Sequence, residues 1–121
     1  MKYLCSVYVE EKKLAALSEK ESLDLDARSM AYDGELRRKG HFIAAQALES
    51  VETATTLRVR NGKVSITDGP FAETNEQLGG FILIEARDLN EAIQAASKIP
   101  AMFLGCIEVR PVKELRAGGK A

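Results

Sequence analysis

The stretch Thr67–Gly80, TDGPFAETNEQLGG, gathers the residues best suited to chemistry in this chain. Asp68 and Glu73 are two carboxylates on one short connection. Paired carboxylates divide acid and base work when their surroundings push their pKa values apart. They could also hold a cation, but oxygen-only sites need more than two ligands, so neither a metal nor a cofactor is expected. Asp68-Gly69-Pro70 is also turn chemistry: Asp can bond backbone N–H groups ahead of it, Gly accepts unusual dihedrals, and Pro fixes its own φ. Phe71 is expected to fold back and anchor the corner. Two readings follow. Asp68, Gly69, Pro70, Phe71 and Glu73 form a ligand-binding loop, or they form a rigid corner that sets the register of the neighbouring strands. Loops rich in turn residues are more often corners.

The remaining candidates are scattered. His41 is the single histidine; it could act as a general base, although a partly exposed residue at a strand start is the favoured reading. Ser29, Ser50 and Ser65 lack a nucleophile-elbow context. Cys5 and Cys106 sit in apolar runs without CxxC spacing, so both are expected to be buried thiols rather than nucleophiles or zinc ligands. Arg58, Arg60 and Arg110 could bind an anion; a solvated sheet face is the favoured role.

The elements that must position these residues are legible. YLCSVYV (3–9) reads as a strand buried on both faces, and EEKKLAAL (10–17) as a short helix. Ser18 with Glu21 has capping-box spacing. Leu23, Ala27, Met30 and Gly34 make one stripe of the helix that follows, and Leu25, Tyr32 and Leu36 another beside it. Arg37, Arg38 and Lys39 suit the negative end of its dipole, and Gly40 its left-handed cap. HFIAAQAL (41–48) is a strand. Asn61-Gly62 joins alternating runs with Leu57, Val59, Val64 and Ile66 on one side: a hairpin that covers something on that side only. GGFILIEA (79–86) is a strand apolar on both faces, its two glycines permitting a bulge or close backbone approach. Asp88 caps a second helix, which Pro100 ends. FLGCIEVRPV (103–112) is the last strand.

Strand, helix, strand, hairpin, strand, helix, strand is an α+β, ferredoxin-like plan: an antiparallel sheet with two main helices on one face and an inserted β-hairpin. The other sheet face carries apolar residues and needs a cover that the chain does not supply. A homodimer packed sheet against sheet, forming a dimeric α/β barrel, is the expected assembly. Residues 1–113 are expected to form a single domain and 114–121 a polar, disordered tail. Length and composition agree with an ordinary globule: 121 residues, 45% hydrophobic, 29% charged, with a net charge of −1. Charges spread this evenly leave no nucleic-acid footprint. No run approaches the ~20 apolar residues of a membrane span and the N-terminus lacks a signal-peptide pattern, so a cytoplasmic protein is expected.

The run ITDGPFAETNEQLGGFILIEA, continuing to the Pro100 helix stop and IEVRPV, resembles the DGPF branch of the YCII-related proteins. The hairpin TATTLRVRNGKVSITDGPF and the N-terminal MKYL are similar as well, so the likeness spans nearly the whole chain. Asn75 stands where the branch usually shows Lys. The resemblance implies a ferredoxin-like fold in a dimeric α/β barrel, in small bacterial proteins that are mostly uncharacterised, some encoded near or fused to extracytoplasmic-function sigma factors. Other YCII-related proteins carry a proposed catalytic pair, a His in the first helix and an Asp just before the Pro after the second helix, and one relative is a dehydrochlorinase. Here those positions hold Ser29 and Ile99, which cannot do the pair's proton chemistry. A specific loop without a complete catalytic set favours a dimeric, non-enzymatic module that binds a small molecule or plays a regulatory part, with a link to a sigma factor among the expectations. The alternative is a lyase or dehydrochlorinase-like enzyme with Asp68, Glu73 or His41 in acid–base roles.

Overall fold

The computed structural model describes residues 1–118. Strand β1 (Lys2–Glu10) leads into a single helical turn, α1 (Glu11–Ala15), and then the long helix α2 (Glu19–Arg38). Strands β2 (Phe42–Ala47), β3 (Thr55–Arg60), β4 (Lys63–Asp68) and β5 (Glu76–Glu85) follow, then helix α3 (Leu89–Ala96) and strand β6 (Gly105–Pro111). Four strands make one antiparallel sheet in the order β2-β5-β1-β6, while β3 and β4 form a separate ribbon. This is the ferredoxin-like strand order with a hairpin inserted.

Local chemistry starts and stops the helices. The Ser18 hydroxyl accepts the Glu21 N–H, and the Glu21 carboxylate accepts the Ser18 N–H, completing the capping box. Gly40 ends α2 with φ +77°. Asp88 caps α3 through the Glu91 N–H. Ile99 is already extended at ψ 122°, because the following Pro100 excludes helical backbone there.

Alternate residues of β1, namely Tyr3, Cys5, Val7 and Val9, are buried with Ile82 and Ile84 of β5 beneath Leu25, Tyr32 and Leu36 of α2 and Ala92 and Ala96 of α3. Both helices therefore cover the same sheet face. Of the two stripes on α2, the Leu25 stripe is the buried one. The neighbouring stripe faces outward, with Leu23 and Met30 62% and 67% exposed. On the other sheet face, Leu4, Tyr8, Phe81 and Leu83 are only half-buried and Leu78 is exposed. Strands β1 and β5 are thus apolar on both sides and fully covered on one.

Several boundaries differ from expectation. β5 begins three residues before Gly79, because Glu76 and Gln77 pair with Glu10 and Val9 of β1. β6 begins at Gly105, since Pro100 opens a 3-10 turn that carries the chain to Leu104. Val112 and the residues after it lie outside the strands; of the predicted tail, residues 119–121 lie outside the described residues. The ribbon turns through Asn61 (φ 52°) and Gly62 (φ 77°), the dihedral signs of a type I′ turn. Its apolar pairs, Leu57 with Ile66 and Val59 with Val64, are 62–74% exposed. Among the described residues, the ribbon's apolar side covers nothing.

The Gly79-Gly80 pair sits inside β5 rather than at its start. The pairing with β1 skips Gly79, passing from Val7–Gly80 to Tyr8–Leu78, so Gly79 is the extra residue of a β-bulge. A Cβ on Gly80 would lie 2.7 Å from the Gln46 carbonyl oxygen of β2. Replacing Gly80 with Ala must push two paired backbones apart, and should cost about 1–3 kcal/mol. Gly34, in mid-helix, has only the mobile Arg38 side chain near its missing Cβ, at 3.6 Å, and Gly34→Ala should gain about 0.5–1 kcal/mol. Thermal melts of the two variants should move in opposite directions; a common direction would contradict this packing.

Candidate functional site

The DGPF corner is assembled by side chains that occupy its carbonyl oxygens. Asp68 ends β4 opposite Thr55. Gly69 takes φ +97° and donates its N–H to the Ala54 carbonyl at 2.7 Å. The Thr56 hydroxyl donates to the Gly69 carbonyl at 2.8 Å, and Arg58 donates to the Phe71 carbonyl at 3.0 Å. Gln77, 8% exposed, donates its amide to the carbonyls of Ala72 and Thr74. Gln77 is thus the anchor of the corner. Phe71, expected to fold inward, is 75% exposed. The reason is local: with Gln77 buried beneath the loop and β5 extended to Glu76, the space under the corner is filled by an amide.

The three acid–base candidates are not brought together. Asp68 is exposed at the foot of the ribbon. Glu73 lies on the loop before β5, whereas the His41 ring (Nδ1) meets the Glu85 carbonyl at 2.8 Å, at the strand's other end. At ~3.3 Å per residue that separation is roughly 30 Å along the strand. Arg58 is a corner-building residue, and Arg110 pairs with Glu108 at 2.7 Å.

The two cysteines differ. Cys5 is buried, and burial pushes its thiol up to about 11. Cys106, expected to be buried, is exposed. It pairs with Tyr8 on the sheet face away from the helices, where its apolar neighbours in sequence point the other way. Its Sγ donates to the Glu76 carboxylate at 3.1 Å, which holds the thiol protonated above its ordinary range. Neither environment favours a thiolate nucleophile.

Two clefts lie on either side of Glu11. The smaller, about 290 Å³, is bounded by Pro70, Glu73, Thr74 and Asn75 of the corner together with Glu10, Lys12 and Glu52. Of the five loop residues in the ligand-binding reading, Pro70 and Glu73 line it, whereas Asp68, Gly69 and Phe71 line neither cleft. The larger, about 530 Å³, opens between α2 and the sheet. Its floor is apolar: Val7, Val9, Ile82, Leu104 and Ala45, with Gly79 and Gly80 beside them. The motif therefore contributes to both clefts, its middle to one and its closing glycines to the other.

The polar groups of the larger cleft come chiefly from α2. Asp26, Ser29, Met30 and Asp33 follow one another at i, i+3, i+4 and i+7, a single helix face. Ser29 also completes the buried stripe of Leu25, Tyr32 and Leu36, occupying a core position with a half-buried hydroxyl. Ile99 lines the same cleft and is buried, so Ser29 and Ile99 both border it. Asp33 was not among the sequence candidates; its signal was a carboxylate at helical spacing from a polar break in an apolar stripe. Partial burial raises its carboxyl above the ordinary 3.8, while Arg37 one turn on pulls it down. The Arg37 guanidinium lies over the Phe42 ring, 4.1 Å from its centre.

A ferredoxin-like sheet with helices on one face and an apolar cleft between them defines the class of protein: a small α+β domain with a ligand-sized recess. The YCII-related domain model matches residues 1–116. An uncharacterised protein of Rhizobium meliloti (strain 1021) is 35% identical over 98% of this chain and 97% of its own length. The chain belongs to the YCII-related family. Among the described residues, no helix is long and apolar enough to cross a membrane.

Two tests separate a structural corner from a reactive one. Gly69→Ala forces a Cβ residue to φ +97° and should cost about 1–2 kcal/mol, whereas Asp68→Ala should stay within about 0.5 kcal/mol; an early-melting Asp68→Ala would show that the carboxylate holds the corner. The raised Asp33 pKa means that the folded state binds its proton more tightly than the unfolded state does, so ionisation lowers stability as pH rises above 3.8. Asp33→Asn should therefore melt higher than the parent at pH 7, with the gap closing below that value.

Proposed function

We propose that this protein is a homodimeric small-ligand-binding module whose site is the cleft between α2 and the sheet. The observation that carries the reading is the cleft's composition: an apolar floor of ligand size with few polar groups, clustered on one helix face. The DGPF corner then supports the site. It fixes the start of β5, and through Gly79 and Gly80 the open floor of the cleft, while Pro70 and Glu73 furnish a smaller recess next to it. The regulatory version of this reading, a link to an extracytoplasmic-function sigma factor, rests on the resemblance of the DGPF motif alone.

Assembly as a homodimer has two supports. The sheet face away from the helices carries Leu4, Tyr8, Leu78, Phe81 and Leu83, and the ribbon presents Leu57, Val59, Val64 and Ile66. A two-stranded ribbon with an uncovered apolar side is marginal alone in water, and apolar area of this extent marks an interaction surface. A second copy supplies matching apolar area by symmetry.

The alternative, a lyase or dehydrochlorinase-like enzyme, would need an acid–base group beside the bound molecule. Asp33, with its raised pKa, is the group in the cleft that favours it.

Sedimentation of the full chain at micromolar concentration should give a dimer, and Val59→Asp combined with Ile66→Asp should give a folded monomer; a monodisperse monomer of the parent would sink the assembly. A thermal-shift screen against a metabolite panel should find stabilising compounds whose effect is lost in Ala45→Trp, which fills the cleft, and kept in Asp68→Ala. Loss in Asp68→Ala alone would move the site to the corner. Saturation at about 100 times Kd corresponds to ~2.7 kcal/mol of added stability.

A further inference from the structure

The walls of the larger cleft carry an uneven charge. Among the described residues its ionisable lining is Glu11, Asp26 and Asp33, with no Lys, Arg or His. Glu11 is engaged, accepting the Ser50 hydroxyl at 2.9 Å. Among the described residues, the Asp26 and Asp33 carboxylates make no ion pair or hydrogen bond. The nearest cation to Asp33, Arg37, stacks on Phe42 instead of closing a bridge to it. Among the described residues no group of three or more His, Cys, Asp or Glu is gathered closely enough to hold a metal ion. The negative charge is thus distributed along one wall above an apolar floor, with Glu11 and Asp33 half-buried and Asp26 exposed.

A partly buried carboxylate without an internal partner has lost hydration that nothing in the chain replaces. A charged hydrogen-bond donor entering from outside replaces it, and the low local dielectric strengthens the contact. We propose that the cleft selects ligands carrying a cationic nitrogen on an apolar body, with Asp33 receiving the ammonium or amidinium group and Ser29, one turn earlier, offering its hydroxyl beside it. The body of such a ligand lies against Val7, Val9 and Ile82. This names the ligand class for the site proposed above and rests on that reading. Asp33 is a specificity-determining residue in this assignment.

The test is a ligand-observed NMR titration of the full chain at pH 7 with two probes of matched shape, benzylamine and benzyl alcohol. Each is repeated on Asp33→Asn, whose folding is verified by melting, and on Ala45→Trp. Benzylamine should bind about tenfold or more tighter than benzyl alcohol. In Asp33→Asn that preference should fall to within about twofold, with the alcohol's affinity unchanged, and Ala45→Trp should weaken both probes. Equal affinities in the parent, both lost in Ala45→Trp, would overturn the cationic class and leave the cleft standing as the ligand site. A preference that survives Asp33→Asn would overturn the role of Asp33. If neither probe binds the parent, or if Ala45→Trp weakens neither, both the class and the cleft assignment fall.

Discussion

The contact of α2 with the sheet through Leu25, Tyr32 and Leu36 sets the rest of the structure. These side chains fill the helix's inward face against β1 and β5, and the Tyr32 hydroxyl donates to the Ala95 carbonyl of α3 at 2.5 Å, tying the two helices together. Burial, reinforced by the nearby Glu35 carboxylate, pushes the Tyr32 phenol up to about 12 and keeps it a neutral donor. Between Leu25 and Tyr32 the stripe has Ser29 where a large apolar side chain would close the gap. Opposite it β5 has Gly79 and Gly80. Small residues on both sides of one interface leave a recess that the close packing of protein interiors otherwise eliminates. The cleft is a consequence of residue choice at these positions, and the helix anchors on either side keep it from collapsing.

The same glycines explain why the DGPF motif is long. Gly80 is required by the Gln46 backbone, 2.7 Å from where its Cβ would be, and Gly79 by the bulge that re-registers β5 against β1. The register of β5 is set at its start by Gln77, which is held by its bonds to the loop carbonyls. A slip of one residue would turn Ile82 and Ile84 to the wrong face. The corner therefore controls the core through the strand that follows it. The uncovered ribbon has a different logic: its turn and cross-strand pairs define its shape, but its apolar side contributes nothing to this chain's own core.

Much of this architecture is readable from local rules. The helix caps at Ser18 and Asp88, the Asn61-Gly62 turn and the Pro100 stop follow from short-range patterns that tertiary contacts do not override. The misreadings share one cause, which is that burial is decided by partners distant in sequence. Phe71 looked like an anchor, yet Gln77 had taken the place beneath the loop. Cys106 sits among apolar neighbours, yet strand alternation turns it to the uncovered face. The Leu23–Met30 stripe is as apolar as its neighbour, yet α2 can present only one face to the sheet. Asp33 carries only a faint local mark, its helical spacing from Ser29; its significance comes from strands β1, β2 and β5 meeting across the cleft.

Positions 29, 33 and 99 set packing and polarity side by side in one cleft. All three line it, and in this chain Ile99 is spent on the core while Ser29 is half-buried. The apolar residue at 99 belongs to the core and leaves that wall of the cleft without a charge. Asp33 places a carboxylate in the same cleft, at a helix position where it is partly buried and unpaired among the described residues. Stability alone gives no reason for such a placement, since a polar neutral side chain there would cost less desolvation. Residues that break a local rule with no gain to the fold concentrate where a protein meets its ligand. The cleft wall of α2 is where this chain breaks the rule most clearly.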